Sequence, residues 1–230
     1  MPKPSAARRR HTVGAAMMDQ LTIASRYPRG FLRVYVRAKL ATDPVYEAVF
    51  EQLRGSDLPV IDVGCGVGIL AMYLRERGFT APIVGIDHDA RKIEIAQRVA
   101  AADGITFSVR DARAPIATHG NVVLLDVLHY FTCEDQAAIL RNAAGAGGMI
   151  LIRDAIRDGS LRYRLTYAQE ALARAGGWLK AERLNFPTRE AIEESVDGEF
   201  THDVRPMFGH SPFNNYLFAF KRLASGTTNA

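Results

Sequence analysis

Three glycines spaced two apart, Gly64, Gly66 and Gly68, follow an apolar run that carries an acid, Asp62. That spacing bares the backbone, because glycine takes positive φ at little cost and puts no Cβ between main chain and ligand. The stretch Val60-Ile-Asp-Val-Gly-Cys-Gly-Val-Gly-Ile-Leu70 therefore reads as strand, ligand-approach turn and helix. The dinucleotide fingerprint needs a third glycine at position 69, which is Ile69, so a nicotinamide reductase is disfavoured. No Lys-Ser/Thr pair follows to make a phosphate loop. A second run, Ile83-Val-Gly-Ile-Asp-His-Asp89, also ends in acids, with Asp87 nineteen residues after Gly68. A carboxylate there can accept two hydrogen bonds from a ribose diol. It can instead cap the next helix, although Asp89 is the better cap candidate.

These groups need a scaffold, and the apolar pattern supplies one. Strand-like runs fall at 59–63, 82–87, 105–109, 121–127 and 148–153, with helix-like runs at 67–77, 90–102 and 134–144. Continuous runs such as Val122-Val-Leu-Leu125 and Met149-Ile-Leu-Ile152 suit parallel strands buried on both faces. Further helices are expected over 161–175, stopped by Gly176-Gly177, and 188–196, capped by Thr188. Two late strands, 200–207 and 215–222, are expected to pair antiparallel. The expected fold is α/β: a doubly wound, seven-stranded, mostly parallel sheet with an antiparallel last strand and helices on both faces. Residues 17–57 form an N-terminal helical cap, in which Asp43 and Pro44 start one helix and Gly55 follows it. The divisions are a basic tail at 1–16, the cap at 17–57, a sheet domain at 58–223 with substrate-side elements at 155–213, and a polar tail at 224–230.

The G-x-G-x-G form after Asp62 resembles motif I of the class I S-adenosylmethionine-dependent methyltransferases, and acids on successive strand ends strengthen the resemblance. It implies a Rossmann-like fold that binds S-adenosylmethionine, leaves S-adenosylhomocysteine and needs no metal. It assigns Asp62, Gly64, Cys65, Gly66, Gly68, Asp87, His88, Asp111, Ala112 and Asp126 to that cofactor. Gly64 and its neighbours would face the amino-acid part, Asp111 the adenine amino group, and Ala112 the ring through its backbone. Asp62 has a second reading, holding the glycine loop by hydrogen bonds to its N–H groups. Asp111 has one too, as an exposed turn residue.

After the fourth strand the sequence is Asp126-Val-Leu-His-Tyr-Phe131, not the N-P-P-Y of enzymes that methylate amide or adenine nitrogens. Leu128-His129-Tyr130-Phe131 resembles the L-H-D-W segment of phenolic O-methyltransferases, with Tyr130 in place of the acid. The resemblance implies His129 as general base and Asp154, at the end of the fifth strand, as the group that orients it. A histidine suits the task because its ordinary pKa is near working pH. His129 has the alternative of packing on the cofactor, and Asp154 of capping a helix or pairing with an arginine. The implied activity is methyl transfer to a phenolic or other hydroxyl of a small molecule. The alternatives are carbon methylation of an aromatic or polyketide-type, aryl-polyene-like intermediate, or a non-catalytic cofactor-binding scaffold.

Candidate acceptor contacts are Tyr27, Tyr35, Tyr130, Arg153, Tyr163, Tyr167 and His210, which is also a second-choice base. Arg153 is read as holding an acidic substrate group or facing solvent. The segment from Tyr27 to Arg37 alternates cations with large apolar groups. It is read as a helix covering the sheet, a lid over a hydrophobic acceptor, or a contact for an acidic carrier or a membrane surface. The net charge of +4 owes much to Lys3, Arg8, Arg9 and Arg10, and no nucleic-acid module is evident. An acceptor that is aromatic or hydrophobic, free or carrier-bound, is expected, with no nucleic acid and with a homodimer left open. Cys65 and Cys133 form neither a disulfide framework nor metal spacing, so a cytoplasmic setting is expected.

Overall fold

A computed structural model describes residues 20–100, 104–175, 184–196, 198–209 and 212–223. His210 and the stop signal at Gly176-Gly177 lie outside the described residues. Seven strands form one sheet in the order β3-β2-β1-β4-β5-β7-β6. The first five are β1 (Val60–Val63), β2 (Ile83–Asp87), β3 (Ile105–Val109), β4 (Gly120–Leu125) and β5 (Gly147–Ala155). They run parallel. β7 (Asn215–Arg222) inserts between β5 and β6 (Phe200–Pro206), and its antiparallel direction is the one expected from the sequence. Chain order reverses where β1 lies between β2 and β4, and there the carboxyl ends of the strands open a crevice.

The helices are α1 (Phe31–Thr42), α2 (Val45–Leu53), α3 (Ile69–Glu76), α4 (Ala90–Val99), α5 (Cys133–Ala146), α6 (Leu161–Ala175) and α7 (Arg189–Ser195). Residues 20–25 are also helical. Alternation along the strands sends side chains to two separate cores. Val60, Ile83, Val123 and Leu151 join α1 to α4, whereas Ile61, Ile86, Val122, Leu124, Ile150 and Ile152 join α5 and α7. Among the described residues no helix is long and apolar enough to cross a membrane.

The ends of several elements differ from the sequence reading. β4 stops at Leu125, not at 127, because Asp126 takes φ 58° and turns the chain out of the sheet. α3 begins at Ile69, since Gly68 is left-handed at φ 80°. α4 ends at Val99 instead of 102. At the start of α2, Asp43 Oδ1 accepts from Val45 N at 3.1 Å, the capping role its sequence position suggested.

Candidate active site

The glycine loop leaves β1 with Gly64, Gly66 and Gly68 at φ 76°, 55° and 80°. The N–H groups of Gly64 and Cys65 both donate to the Ile86 carbonyl, at 2.7 and 2.9 Å. Gly66 N donates to Asp87 Oδ2 at 3.0 Å. A Cβ on Gly64 would stand 2.4 Å from Val127 Cγ2, and one on Gly68 2.8 Å from Phe107 Cζ. One on Gly66 would meet nothing within 4 Å. Gly64 and Gly68 are thus glycines of packing, whereas Gly66 faces open space. From below, the buried Tyr27 braces the loop by donating to the Val67 carbonyl at 3.2 Å. Tyr27 is therefore placed in the core beneath the loop.

Asp62 is 3% exposed, and its Oδ2 has no hydrogen-bond partner. The N–H groups of the three loop glycines and of Cys65 bond to Ile86, Asp87 and Cys65 and not to Asp62. Burial, reinforced by the charge of Asp87, pushes the Asp62 carboxyl up to about 7. Asp87 is also buried, and its Oδ1 accepts from Asp89 N at 2.8 Å. Each of its oxygens keeps further acceptor capacity. Asp89 is the cap of α4, accepting from Arg91 N. His88 is exposed, with Nδ1 3.4 Å from Asp87 Oδ1. Cys65 is buried, which pushes its thiol up.

Beyond β3, Asp111 is exposed and accepts from both N and Nε of Arg113 at 2.9 Å. That arginine holds its carboxyl down at about 2. Geometry alone makes Asp111 a turn residue; Ala112 beside it is half-buried against the second core.

His129 sits in a short 3-10 turn, Leu128–Tyr130, just past β4. Its Nδ1 lies 2.7 Å from Asp154 Oδ1. Asp154 is wholly buried in β5. Its Oδ1 also accepts from Ala155 N at 2.8 Å, and its Oδ2 from Leu128 N at 2.9 Å. The same carboxyl oxygen thus meets both a backbone N–H and the ring nitrogen. The His129 ring stacks on Phe186 with centroids 5.0 Å apart, and lies 4.0 Å from the Tyr130 ring. Tyr163 and Tyr167 meet Phe186 edge-on.

Two supports were missed in the sequence. Buried Gln136 donates through Nε2 to the carbonyls of Leu128, Phe131 and Asn185, clamping the His129 turn to the chain before Phe186. Its only sequence signal was a polar residue on the apolar face of α5. The second support is an ion network. Arg153 is 3% exposed and pairs with Asp126 through Nη1 and with Asp43 through Nη2 at 2.6 Å. Lys39 reaches Asp43 at 3.3 Å and Asp126 at 3.5 Å. Arg153 therefore does not face solvent, and its guanidinium ties the α1–α2 junction to the ends of β4 and β5. Burial opposes charge on Asp126, yet Arg153 and Lys39 hold its carboxyl below the ordinary range. Tyr35, 39% exposed, lies on the same network, where burial raises its hydroxyl. Among the described residues no group of three or more His, Cys, Asp or Glu could hold a metal ion.

Residues 60–146 match the family model of a methyltransferase domain. The chain is 35% identical over 106 residues to a 2-heptyl-1-hydroxyquinolin-4(1H)-one methyltransferase of Mycobacteroides abscessus, covering 41% of this chain and 46% of that one. It is 35% identical over 69 residues to a ribosomal protein L11 methyltransferase of Dechloromonas aromatica, covering 30% of this chain and 23% of that one. The chain thus spans less than half the length of either curated relative. Among solved structures, a magnesium protoporphyrin IX methyltransferase from Synechocystis with bound S-adenosylhomocysteine superposes with a TM-score of 0.63. The two share 22% identity over 85% of this chain and 89% of the other. At that identity the likeness establishes the fold, which is the Rossmann-like methyltransferase fold.

Proposed function

We propose that this chain, which carries a class I S-adenosylmethionine-dependent methyltransferase domain, methylates a hydroxyl oxygen of a small aromatic or hydrophobic acceptor. The residues present fit the donor. An orphaned carboxylate oxygen on Asp62 suits an ammonium group, and the space over Gly66 accepts bulk laid on the loop. Asp87 has acceptor capacity for a ribose diol. When bound, the donor supplies an electrophilic sulfonium methyl group. His129 takes the acceptor's proton on Nε2, the nitrogen opposite the Asp154 contact. Asp154 fixes the tautomer and stabilises the imidazolium that results.

The observation that carries this reading is the His129 Nδ1–Asp154 Oδ1 contact of 2.7 Å, with Asp154 anchored by backbone donors at the strand end. A histidine that only packs against a cofactor has no need of a buried, oriented carboxylate. The aromatic wall of Tyr130, Tyr163, Tyr167 and Phe186 supports a flat or lipophilic acceptor. The hydroxyquinolone relative, by its name, acts on a molecule of that kind.

The test is incubation with labelled methyl donor and a panel of phenols, hydroxyquinolones and carrier-bound hydroxyacyl compounds. Label in an ether product, lost with His129→Gln while S-adenosylhomocysteine still binds, is the expected result. Carbon-bound label would replace oxygen transfer by the carbon reading. Tight S-adenosylhomocysteine binding without transfer to any acceptor would favour a scaffold.

A further inference from the structure

The surface of α1 is apolar where a lone covering helix should be polar. Its inward face is Leu32, Val36 and Leu40, spaced four apart. On the opposite face stand Phe31, Val34, Tyr35 and Ala38, at the i, i+3, i+4, i+7 spacing that aligns side chains in one stripe. Phe31 is 61% exposed and Val34 67% exposed, and Phe31 stacks on Tyr35. Residues 20–42 contain five cations, Arg26, Arg29, Arg33, Arg37 and Lys39, and no acid. Arg29 and Arg37, which flank the stripe, are exposed. α6 repeats the theme with exposed Leu161, Leu165 and Leu172 in one stripe and exposed Arg164 beside it. Both helices adjoin the carboxyl edge of the sheet, α1 through Lys39 and Asp126, α6 through Tyr163 and Phe186.

We propose that the outer face of α1 is an interfacial docking surface for an anionic lipid bilayer. An apolar stripe bordered by arginines, on a segment that itself carries no acid, fits a headgroup region whose apolar boundary lies just beneath its charges. The exposed charges of the segment itself are all positive, which matches an anionic headgroup layer. The inference goes beyond the transfer reading; only its corollary, that a lipophilic acceptor reaches the site from the bilayer, rests on that reading.

Vesicle co-sedimentation tests it without knowledge of the acceptor. The full chain is expected to bind phosphatidylglycerol–phosphatidylcholine vesicles, to bind phosphatidylcholine alone far less, and to be released by salt. Arg29→Gln with Arg37→Gln should weaken binding by roughly five-fold per arginine. Phe31→Asp with Val34→Asp should weaken it by roughly ten-fold or more, with S-adenosylhomocysteine affinity and the melting temperature reporting the fold. If the aspartate pair does not fold, the arginine pair decides. Overturning results are no binding to anionic vesicles, binding that survives both pairs of substitutions, or a concentration-dependent dimer that Val34→Asp dissociates. Failure here with methyl transfer intact leaves the proposed function standing.

Discussion

Asp62→Asn isolates the strongest electrostatic demand of the glycine loop. The carboxyl is 3% exposed, and its pKa stands at about 7 against an ordinary 3.8. Between those values the folded protein holds a proton that the unfolded chain has already released. Stability must therefore fall as pH rises through this window, and the penalty is complete above the folded value. A displacement of that size corresponds to roughly 4 kcal/mol. The amide has nearly the same shape and no charge, so the variant should lose this component of the pH dependence and be more stable than the parent at about pH 8. Urea unfolding at about pH 4 and about pH 8, on both proteins, measures it. Donor binding reverses the sign. An ammonium placed at Asp62 Oδ2 favours the carboxylate, so S-adenosylhomocysteine binding below about pH 7 should release a proton from the parent and not from the variant. Calorimetry in buffers of different ionisation enthalpy reads that proton directly. The variant's affinity should fall by roughly ten- to a hundred-fold, as for a lost charge-assisted hydrogen bond. Parallel pH profiles for the two proteins would refute the argument, and so would an unchanged affinity.

His129→Gln should lower turnover by roughly a hundred-fold or more with little change in S-adenosylhomocysteine affinity, and single-turnover label transfer checks both. Asp154→Asn should likewise reduce rate more than affinity; an unchanged rate removes it from the mechanism. Arg153→Met strips the partner from Asp126 and Asp43 in a buried network, so urea melts should show a loss of roughly 3 kcal/mol. Gly64→Ala and Gly66→Ala should part company. The first collides with Val127 and should lower the melting temperature by roughly 5 °C or more. The second should cost only about 1 kcal/mol of backbone strain while sharply weakening S-adenosylhomocysteine binding.

The sheet was legible because parallel strands buried on both faces read as unbroken Val/Ile/Leu runs, and because glycines and acids punctuated their ends. Even the antiparallel last strand followed from the loop that precedes it. The end of β4 was not legible. Val122 to Val127 is apolar apart from Asp126, and nothing in that pattern announces a left-handed residue held by Arg153 and Lys39. Long-range ion pairs leave no periodicity, so Asp43 was visible as a helix cap and not as the partner of a residue 110 positions away. The His129–Asp154 pairing came from resemblance, and the structure brings those two side chains together. Asp111 was assigned to adenine by the family resemblance. In the structure Arg113, two residues on, bonds to its carboxylate, a local contact that the strand-end pattern does not announce.

The division of the core has a genetic meaning. The glycine loop rests on the layer that contains Tyr27 and Ile69, whereas the His129 turn rests through Leu128 and Ile156 on the other. On the proposed reading, donor grip and proton removal are seated in different leaves of one molecule. Random damage to the interior should sort into two complementation-like groups, one failing to retain the donor and one retaining it without using it. The sheet itself is the hinge of that sorting: a single strand such as Val122-Val123-Leu124 feeds both leaves with alternate side chains, so lesions there should belong to neither group alone.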